Sequence, residues 1–117
     1  MTRRTRITAT PAQLYARANR VAALLDTLPR LADGADLGPS EWVELRKRFR
    51  ARCHEIAAEL RATDATDPDG VRITEAPERA TVRMLGITTT STSGLSGALR
   101  NWKARARAEA EWMENGE

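Results

Sequence analysis

The sequence predicts a mainly α-helical protein in which an antiparallel helical hairpin is followed by a turn-rich or small β-hairpin segment and a C-terminal helix. Two stretches near the N-terminus carry apolar residues at the spacing of a helix, and a short turn joins them. A charged stretch near the C-terminus repeats that spacing, while the chain between is rich in β-branched and turn-forming residues. The length of 117 residues suits one domain.

The first helix is predicted over about 11–28. Thr10 is the candidate N-cap, Pro11 takes the first helical position, and Gln13 stands at the capping-box spacing. One face of this helix carries the apolar residues Leu14, Ala18, Val21, Leu25 and Leu28. Pro29 ends or kinks the helix, because proline disfavours helical geometry at the residue before it.

The second helix is predicted over about 41–62, with Ser40 as its candidate N-cap. Its apolar stripe consists of Trp42, Leu45, Phe49, Cys53, Ile56 and Leu60. Two amphipathic helices joined by a short turn fold back and pack their stripes together. This pairing is the predicted helical hairpin.

The chain after the hairpin is predicted to contain strands and a third helix. The segment 71–92 reads as strand or helix, and we favour a small β-hairpin formed by 71–74 and 80–85, with extended chain after it. The third helix is predicted over about 94–114, with Ser93 as its candidate N-cap. Its apolar stripe consists of Leu95, Leu99, Trp102, Ala106, Ala110 and Met113.

The domain organisation and composition narrow the class of protein. We expect a flexible basic arm at 1–9 and a single helical domain over 10–117, with an acidic linker at 63–70. No stretch approaches the roughly 18 apolar residues that span a bilayer. The single cysteine, Cys53, fits a reducing compartment, so the predicted location is cytoplasmic. With few aromatic residues the core is thin, which favours a homo-oligomer.

No arrangement of residues in the sequence indicates catalysis. Cys53 and the single histidine, His54, are adjacent, so on a helix their side chains point about 100° apart and do not form a nucleophile–base pair. No second histidine or cysteine stands at metal-ligand spacing. We therefore predict a protein that is not an enzyme and that needs no metal or cofactor.

The basic residues of the second helix are the most informative candidates for binding. The net charge is +3 with a sequence pI near 9.7, and five of the seven residues from 46 to 52 are cations. Arg48 and Arg52 share a flank with several glutamates, which neutralise it. The opposite flank carries no acid and holds the candidate binding residues Arg46, Lys47, Arg50, His54 and Arg61. An acidic partner or a row of phosphates fits this flank.

The third helix adds further candidate residues. Arg100, Lys103 and Arg107 lie on one side of its first half. Acidic residues follow in the second half, and this order of basic before acidic residues is unfavourable for the helix dipole. The Ser/Thr/Gly run 88–97 before it can hold a phosphate at a helix N-terminus, but we favour a cap and hinge. A helix-turn-helix over 79–102 is a further alternative.

The layout of basic arm, helical hairpin, turn-rich middle and charged C-terminal helix resembles the small subunits of phage DNA-packaging terminases. That resemblance implies assembly into rings and DNA binding. Our first hypothesis is an oligomeric adaptor that binds nucleic acid through phosphate contacts, and it rests on the acid-free flank of the second helix, the basic arm and the first half of the third helix. The second is a protein–protein adaptor or inhibitor that docks on an acidic partner, with Trp112 and Met113 as apolar anchors. The third is a structural self-assembly subunit that uses surface left by Leu24 and its neighbouring alanines.

Overall fold

A computed structural model of the chain describes residues 9–30, 36–63 and 71–115. In order along the chain, these residues form α1 (Pro11–Leu25), α2 (Pro39–Thr63), β1 (Arg72–Glu75), β2 (Ala80–Met84), β3 (Ile87–Ser91) and α3 (Leu95–Glu114). The predicted mainly α class, with its hairpin and C-terminal helix, is confirmed. The basic arm, apart from Ala9, and the linker, apart from its first residue, lie outside the described residues. Ala9 itself is buried against the core.

The first helix begins as its capping signal predicts. The Gln13 amide donates to Thr10 Oγ1 at 3.2 Å, and the Thr10 amide donates to Gln13 Oε1 at 2.8 Å, which completes the capping box. The helix ends at Leu25, nearly a turn before the predicted end. Leu28 nevertheless stays buried in the core, so the stripe continues past the helix itself.

The second helix begins earlier than predicted, and the Ser40 N-cap is wrong. The helix starts at Pro39, and the Trp42 amide donates to the Gly38 carbonyl at 2.9 Å. Glu41 Oε1 in turn accepts the Gly38 N–H at 3.2 Å, so Gly38 occupies the cap position. Proline suits the first helical position, because its missing N–H has no helical partner there. Ser40 therefore lies inside the first turn.

The segment 71–92, for which the sequence allows strand or helix, contains three strands. β1, β2 and β3 form an antiparallel meander in that order, with Ile73 opposite Val82 and Val82 opposite Thr89. The predicted hairpin is confirmed, and the helix-turn-helix alternative is wrong because β2 and β3 occupy its first helix and turn. Leu85 and Gly86 join these strands with φ angles of +51° and +82°, the left-handed geometry of a tight hairpin turn.

The third helix begins at Leu95, and its N-cap is Gly94 and not the predicted Ser93. Gly94 has a φ of +95°, and no side chain of the described residues caps the helix. A left-handed φ suits glycine, because glycine has no Cβ to clash with the backbone. The Ser93 amide instead donates to Ser91 Oγ at 3.0 Å, so Ser93 belongs to the turn between β3 and α3.

One apolar cluster joins the three helices and the sheet. The contacts of Arg20 with Glu59 and of Thr27 with Arg52 show that α1 runs antiparallel to α2. Helix α1 is also antiparallel to α3, with which it packs most extensively. Trp102 is fully buried, and its Nε1 donates to the carbonyls of Met84 at 3.2 Å and Ile87 at 3.1 Å. This indole ties α3 to the turn between β2 and β3. In the described part of the chain, no helix combines the length and apolarity needed to cross a membrane.

Candidate anion-binding groove

One flank of α2 is neutralised by ion pairs. Arg52 Nη1 lies 3.0 Å from Glu55 Oε1 and 3.1 Å from Glu59 Oε2, and Arg52 Nε donates to Thr27 Oγ1 at 2.8 Å. Arg20 on α1 also reaches Glu59, at 3.3 Å. The nearby carboxylates raise the pKa of the Arg52 guanidinium, with the hydrogen bond to Glu55 as the main cause. The charges on this flank therefore serve to join α1 and α2.

The opposite flank of α2 faces an open groove of about 910 Å³. The end of α1, one side of α2, the end of β1 and the start of α3 form its walls. Its charged lining residues are Asp26, Arg30, Arg46, Arg50, Glu75 and Arg100. Within the described residues, none of these four arginines forms an ion pair or a hydrogen bond. Among the described lining residues there are therefore two more cations than carboxylates, and these cations are free to bind an anion.

The spacing of α2 places both charge and apolar surface in the groove. Arg46 and Arg50 are four residues apart, as are Phe49 and Cys53, so two neighbouring rows of one helix face line it. Phe49 packs against the core, and Cys53 is buried. Burial raises the pKa of the Cys53 thiol, Glu75 adds to that effect, and Arg100 opposes it. The thiol is therefore neutral, which fits a packing residue and not a nucleophile.

The N-terminus of α3 opens into the same groove. Ser93, Gly94, Leu95 and Ser96 all line it. The first backbone bond of the helix joins the Ala98 amide to the Gly94 carbonyl at 3.1 Å, and no side chain caps the amides before it. These amides carry the positive end of the helix dipole. The Ser/Thr/Gly run that we interpreted as a cap and hinge thus adds N–H donors to a cationic groove.

The structure brings three of the eight predicted binding residues, Arg46, Arg50 and Arg100, into this groove. His54 and Arg61 line a smaller adjoining cavity of about 280 Å³, which shares Glu75 and Leu95 with the groove. There His54 Nε2 lies 3.1 Å from Glu75 Oε1. Arg61 donates to the Ile73 carbonyl at 2.8 Å, so it helps to hold β1.

The other three predicted residues lie outside both cavities. Lys47 Nζ is 3.7 Å from Glu44 Oε1 and so belongs to the neutralised flank. Arg107 donates to Asn19 Oδ1 at 3.2 Å and links α3 to α1. Lys103 is half-buried farther along α3. Lys103 and Arg107 lie on one side of α3 with Arg100, but they do not reach the groove.

Among the residues that line the groove, sequence reasoning missed Arg30, and it indicated Ser96 only as part of the Ser/Thr/Gly run 88–97. Arg30 follows Pro29 after α1, where no periodic pattern predicts which way a side chain points. Ser96 is 6% exposed and lies in the first turn of α3, where a serine reads as an ordinary residue near a cap. The run that contains Ser96 was a signal, but its meaning depends on what packs opposite.

Comparison of the chain with protein-family models, with curated proteins and with solved structures gave no match. Among the described residues, no group of three His, Cys, Asp or Glu side chains is placed to hold a metal ion. The charges and the N–H donors of the groove are therefore the features that bear on function.

Proposed function

We propose that the protein binds nucleic acid through phosphate contacts in this groove, as a non-enzymatic and oligomeric adaptor of the DNA-packaging type. The observation that carries the proposal is the convergence of four unpaired arginines, Arg30, Arg46, Arg50 and Arg100, from three separate segments. Arginine suits this role because its planar guanidinium group donates two parallel hydrogen bonds to a phosphate.

The arrangement of charge favours a bound anion over a solvated surface. Arg46 and Arg50 are a like-charge pair one helical turn apart, which costs about 0.2–0.5 kcal/mol in an isolated helix. Arg100 and the positive end of α3 face the same space, so their repulsion adds to that cost. A phosphate backbone in the groove removes this repulsion and releases counterions from the nucleic acid.

The lining of the groove favours backbone contacts over base recognition. Phe49 is the aromatic residue that lines it in the described part of the chain, and its ring packs partly against the core. Base stacking needs exposed aromatic faces. We therefore expect affinity that depends strongly on salt and weakly on sequence.

An adaptor that docks on an acidic protein is the second candidate, and the placement of its proposed anchors counts against it. Trp112 is 42% exposed, and Met113 is half-buried against the core. Both lie near the C-terminus of α3, about 24 Å from Ser96 at 1.5 Å per residue. The arginines and these apolar anchors therefore do not form one continuous surface.

Oligomerisation remains part of the proposal, but on a surface other than the one the sequence indicated. Leu24 is 4% exposed and packs inside the core, so it leaves no free apolar surface. Leu37, two residues before α2, and Val43, the fifth residue of α2, are 37% and 49% exposed. These side chains support self-association through the first turns of α2.

The test is fluorescence anisotropy of a labelled DNA duplex over a range of salt concentrations. If all four arginines contact phosphates, log K falls with log salt with a slope of about −3 to −4. Poly-glutamate, added as an unlabelled competitor at equal charge, displaces the duplex poorly if phosphates are the preferred anion. Flat anisotropy at low salt overturns the proposal, and equal displacement by poly-glutamate favours the acidic-protein candidate.

A further inference from the structure

We infer that the start of α3 is a seat for a phosphate monoester, where uncapped helix amides, the buried Ser96 hydroxyl and Arg100 meet in one wall of the groove. The identification of the ligand as the terminal phosphate of a nucleic acid rests on the proposed function. The chemistry of the seat itself is that of any phosphomonoester dianion.

The backbone supplies the first donors of this seat. Leu95, Ser96 and Gly97 precede the first helical hydrogen bond of α3, so their amides have no helical acceptor. Gly94 at the N-cap has no side chain to take that place. Amides at the N-terminus of a 20-residue helix bind an anionic oxygen with the added help of the helix dipole.

The Ser96 hydroxyl is the independent observation that points to a ligand. Ser96 is 6% exposed and lines the groove, yet its hydroxyl has no hydrogen-bond partner among the described residues. No wholly enclosed side-chain nitrogen or oxygen in the described part of the chain lacks a partner. The Ser96 oxygen is therefore not wholly enclosed, and Ser96 is one of the residues that line the groove. A buried hydroxyl in this position is ready to donate to a bound oxygen.

Charge selects a monoester over a diester. Arg100 lies four residues after Ser96, on the same face of α3, and also lines the groove. The described residues of the lining carry an excess of two cations. A terminal phosphate carries a charge near −2 at pH 7, whereas each internal phosphodiester carries −1. A terminal phosphate therefore matches the local charge better.

The first turn of α3 is held in place without a ligand. A Cβ at Gly97 would clash with Ser91 Oγ and approach Ser93 Cβ, so the helix packs closely on the turn before it. Thr89 Oγ1 donates to the Ala98 carbonyl at 2.9 Å, and Asn101 Nδ2 donates to the Thr90 carbonyl at 2.9 Å. A seat fixed in this way loses little conformational entropy when it binds.

The experiment compares two oligonucleotides of the same sequence, one with a 5′-phosphate and one with a 5′-hydroxyl, as competitors against a labelled duplex. We expect the 5′-phosphate to improve binding about fivefold or more, as one charge-assisted hydrogen bond with its neighbours can supply. Ser96→Ala removes most of that preference. Ser40→Ala is the matched control, because Ser40 is the second residue of α2, is exposed and does not line the groove.

Inorganic phosphate provides a second arm that needs no nucleic acid. At constant ionic strength, phosphate raises the thermal midpoint of the wild-type and Ser40→Ala proteins, and it raises the midpoint of Ser96→Ala less. Both oligonucleotides binding equally well overturns the seat and leaves the proposed function standing. If neither oligonucleotide binds but phosphate stabilises the protein through Ser96, the proposed function falls and the seat serves free phosphomonoesters. No binding and no stabilisation overturns the seat.

Discussion

Arginines on the two flanks of α2 have different roles, one structural and one available for binding. Arg52 forms ion pairs with Glu55 and Glu59 and a hydrogen bond with Thr27. Arg50, two residues earlier, has no partner among the described residues and faces an open groove. The difference arises from position, because consecutive helix residues point about 100° apart. A basic stretch in a helix therefore divides into structural and available cations, and the packing of the neighbouring elements decides which is which.

The largest expected effect is a loss of stability from a substitution in the buried core. Trp102→Ala removes a fully buried indole and leaves the Met84 and Ile87 carbonyls without their donor, so we expect a loss of about 3–5 kcal/mol in the free energy of unfolding. Urea denaturation followed by circular dichroism measures it. Trp112→Ala is the control, because Trp112 is 42% exposed and its loss should cost much less. Equal losses for the two variants would contradict the core described above.

Charge reversal on the open flank separates binding from stability. Arg46→Glu/Arg50→Glu should weaken DNA binding about tenfold or more and reduce the steepness of the salt dependence by about 2, since each lost phosphate contact contributes about 0.9. Anisotropy titrations at several salt concentrations measure both. The matched control is Arg48→Glu/Arg79→Glu, which makes the same charge change at exposed residues that do not line the groove. If both variants bind equally weakly, net charge and not the groove determines affinity.

Single truncations sharpen the comparison between the flanks. Arg52→Ala should lower the thermal midpoint, because it leaves Glu55 and Glu59 without their shared cation, and it should leave DNA affinity unchanged. Arg50→Ala should show the reverse pattern, with weaker binding and an unchanged or higher midpoint. Differential scanning fluorimetry and anisotropy on the two variants decide this. A midpoint that falls more for Arg50→Ala would show that the flanks have been assigned the wrong way round.

Glu75 is expected to limit the affinity of the groove. Its carboxylate lines both cavities and lies 3.1 Å from His54 Nε2, so it repels an incoming phosphate. Glu75→Gln should raise DNA affinity a few-fold, and competition binding measures the change. Glu78→Gln, at an exposed residue that does not line the groove, should have no effect. A fall in affinity for Glu75→Gln would show that this carboxylate positions the site instead.

The smallest effect concerns Cys53 at alkaline pH. Burial raises the pKa of its thiol in the folded protein, so the unfolded chain ionises first as the pH rises above the ordinary thiol value of about 8.5. The stabilising contribution of the neutral thiol is therefore complete below that pH and decreases above it. Cys53→Ala should lose less stability than the wild type between pH 8 and pH 10 in urea denaturation. Identical losses would mean that the native thiol ionises normally.

The fold was predictable where the decisive interactions are local. The Thr10–Gln13 capping box, the three amphipathic stripes and the β-branched run each specify structure within a few residues. The Ser40 and Ser93 caps were wrong for a related reason. A serine signals a helix start, but Gly38 and Gly94 precede the first helical residues here, so the helix boundary depends on the backbone geometry of the adjoining turn.

The groove was predictable only in part, because it depends on contacts distant in sequence. The acid-free flank of α2 predicted Arg46 and Arg50 from periodicity, and Arg100 came from the charge order of α3. Their convergence requires α3 to start beside α2, which the meander of three strands determines. Arg30 carries no sequence signal, and the run that contains Ser96 does not show which of its residues lines the groove, so only the packed structure reveals both.

The central claim is that the groove holds phosphates, and the most direct test is chemical-shift mapping of isotopically labelled protein titrated with an unlabelled DNA duplex. We expect the amide signals of Ser96 and Gly97 and the side-chain Nε signals of Arg50 and Arg100 to shift together, while the amide signals around Trp112 do not change. Saturable shifts confined to the C-terminal end of α3 or to the turn around Arg79, with no shift of the groove residues, would contradict phosphate binding in the groove.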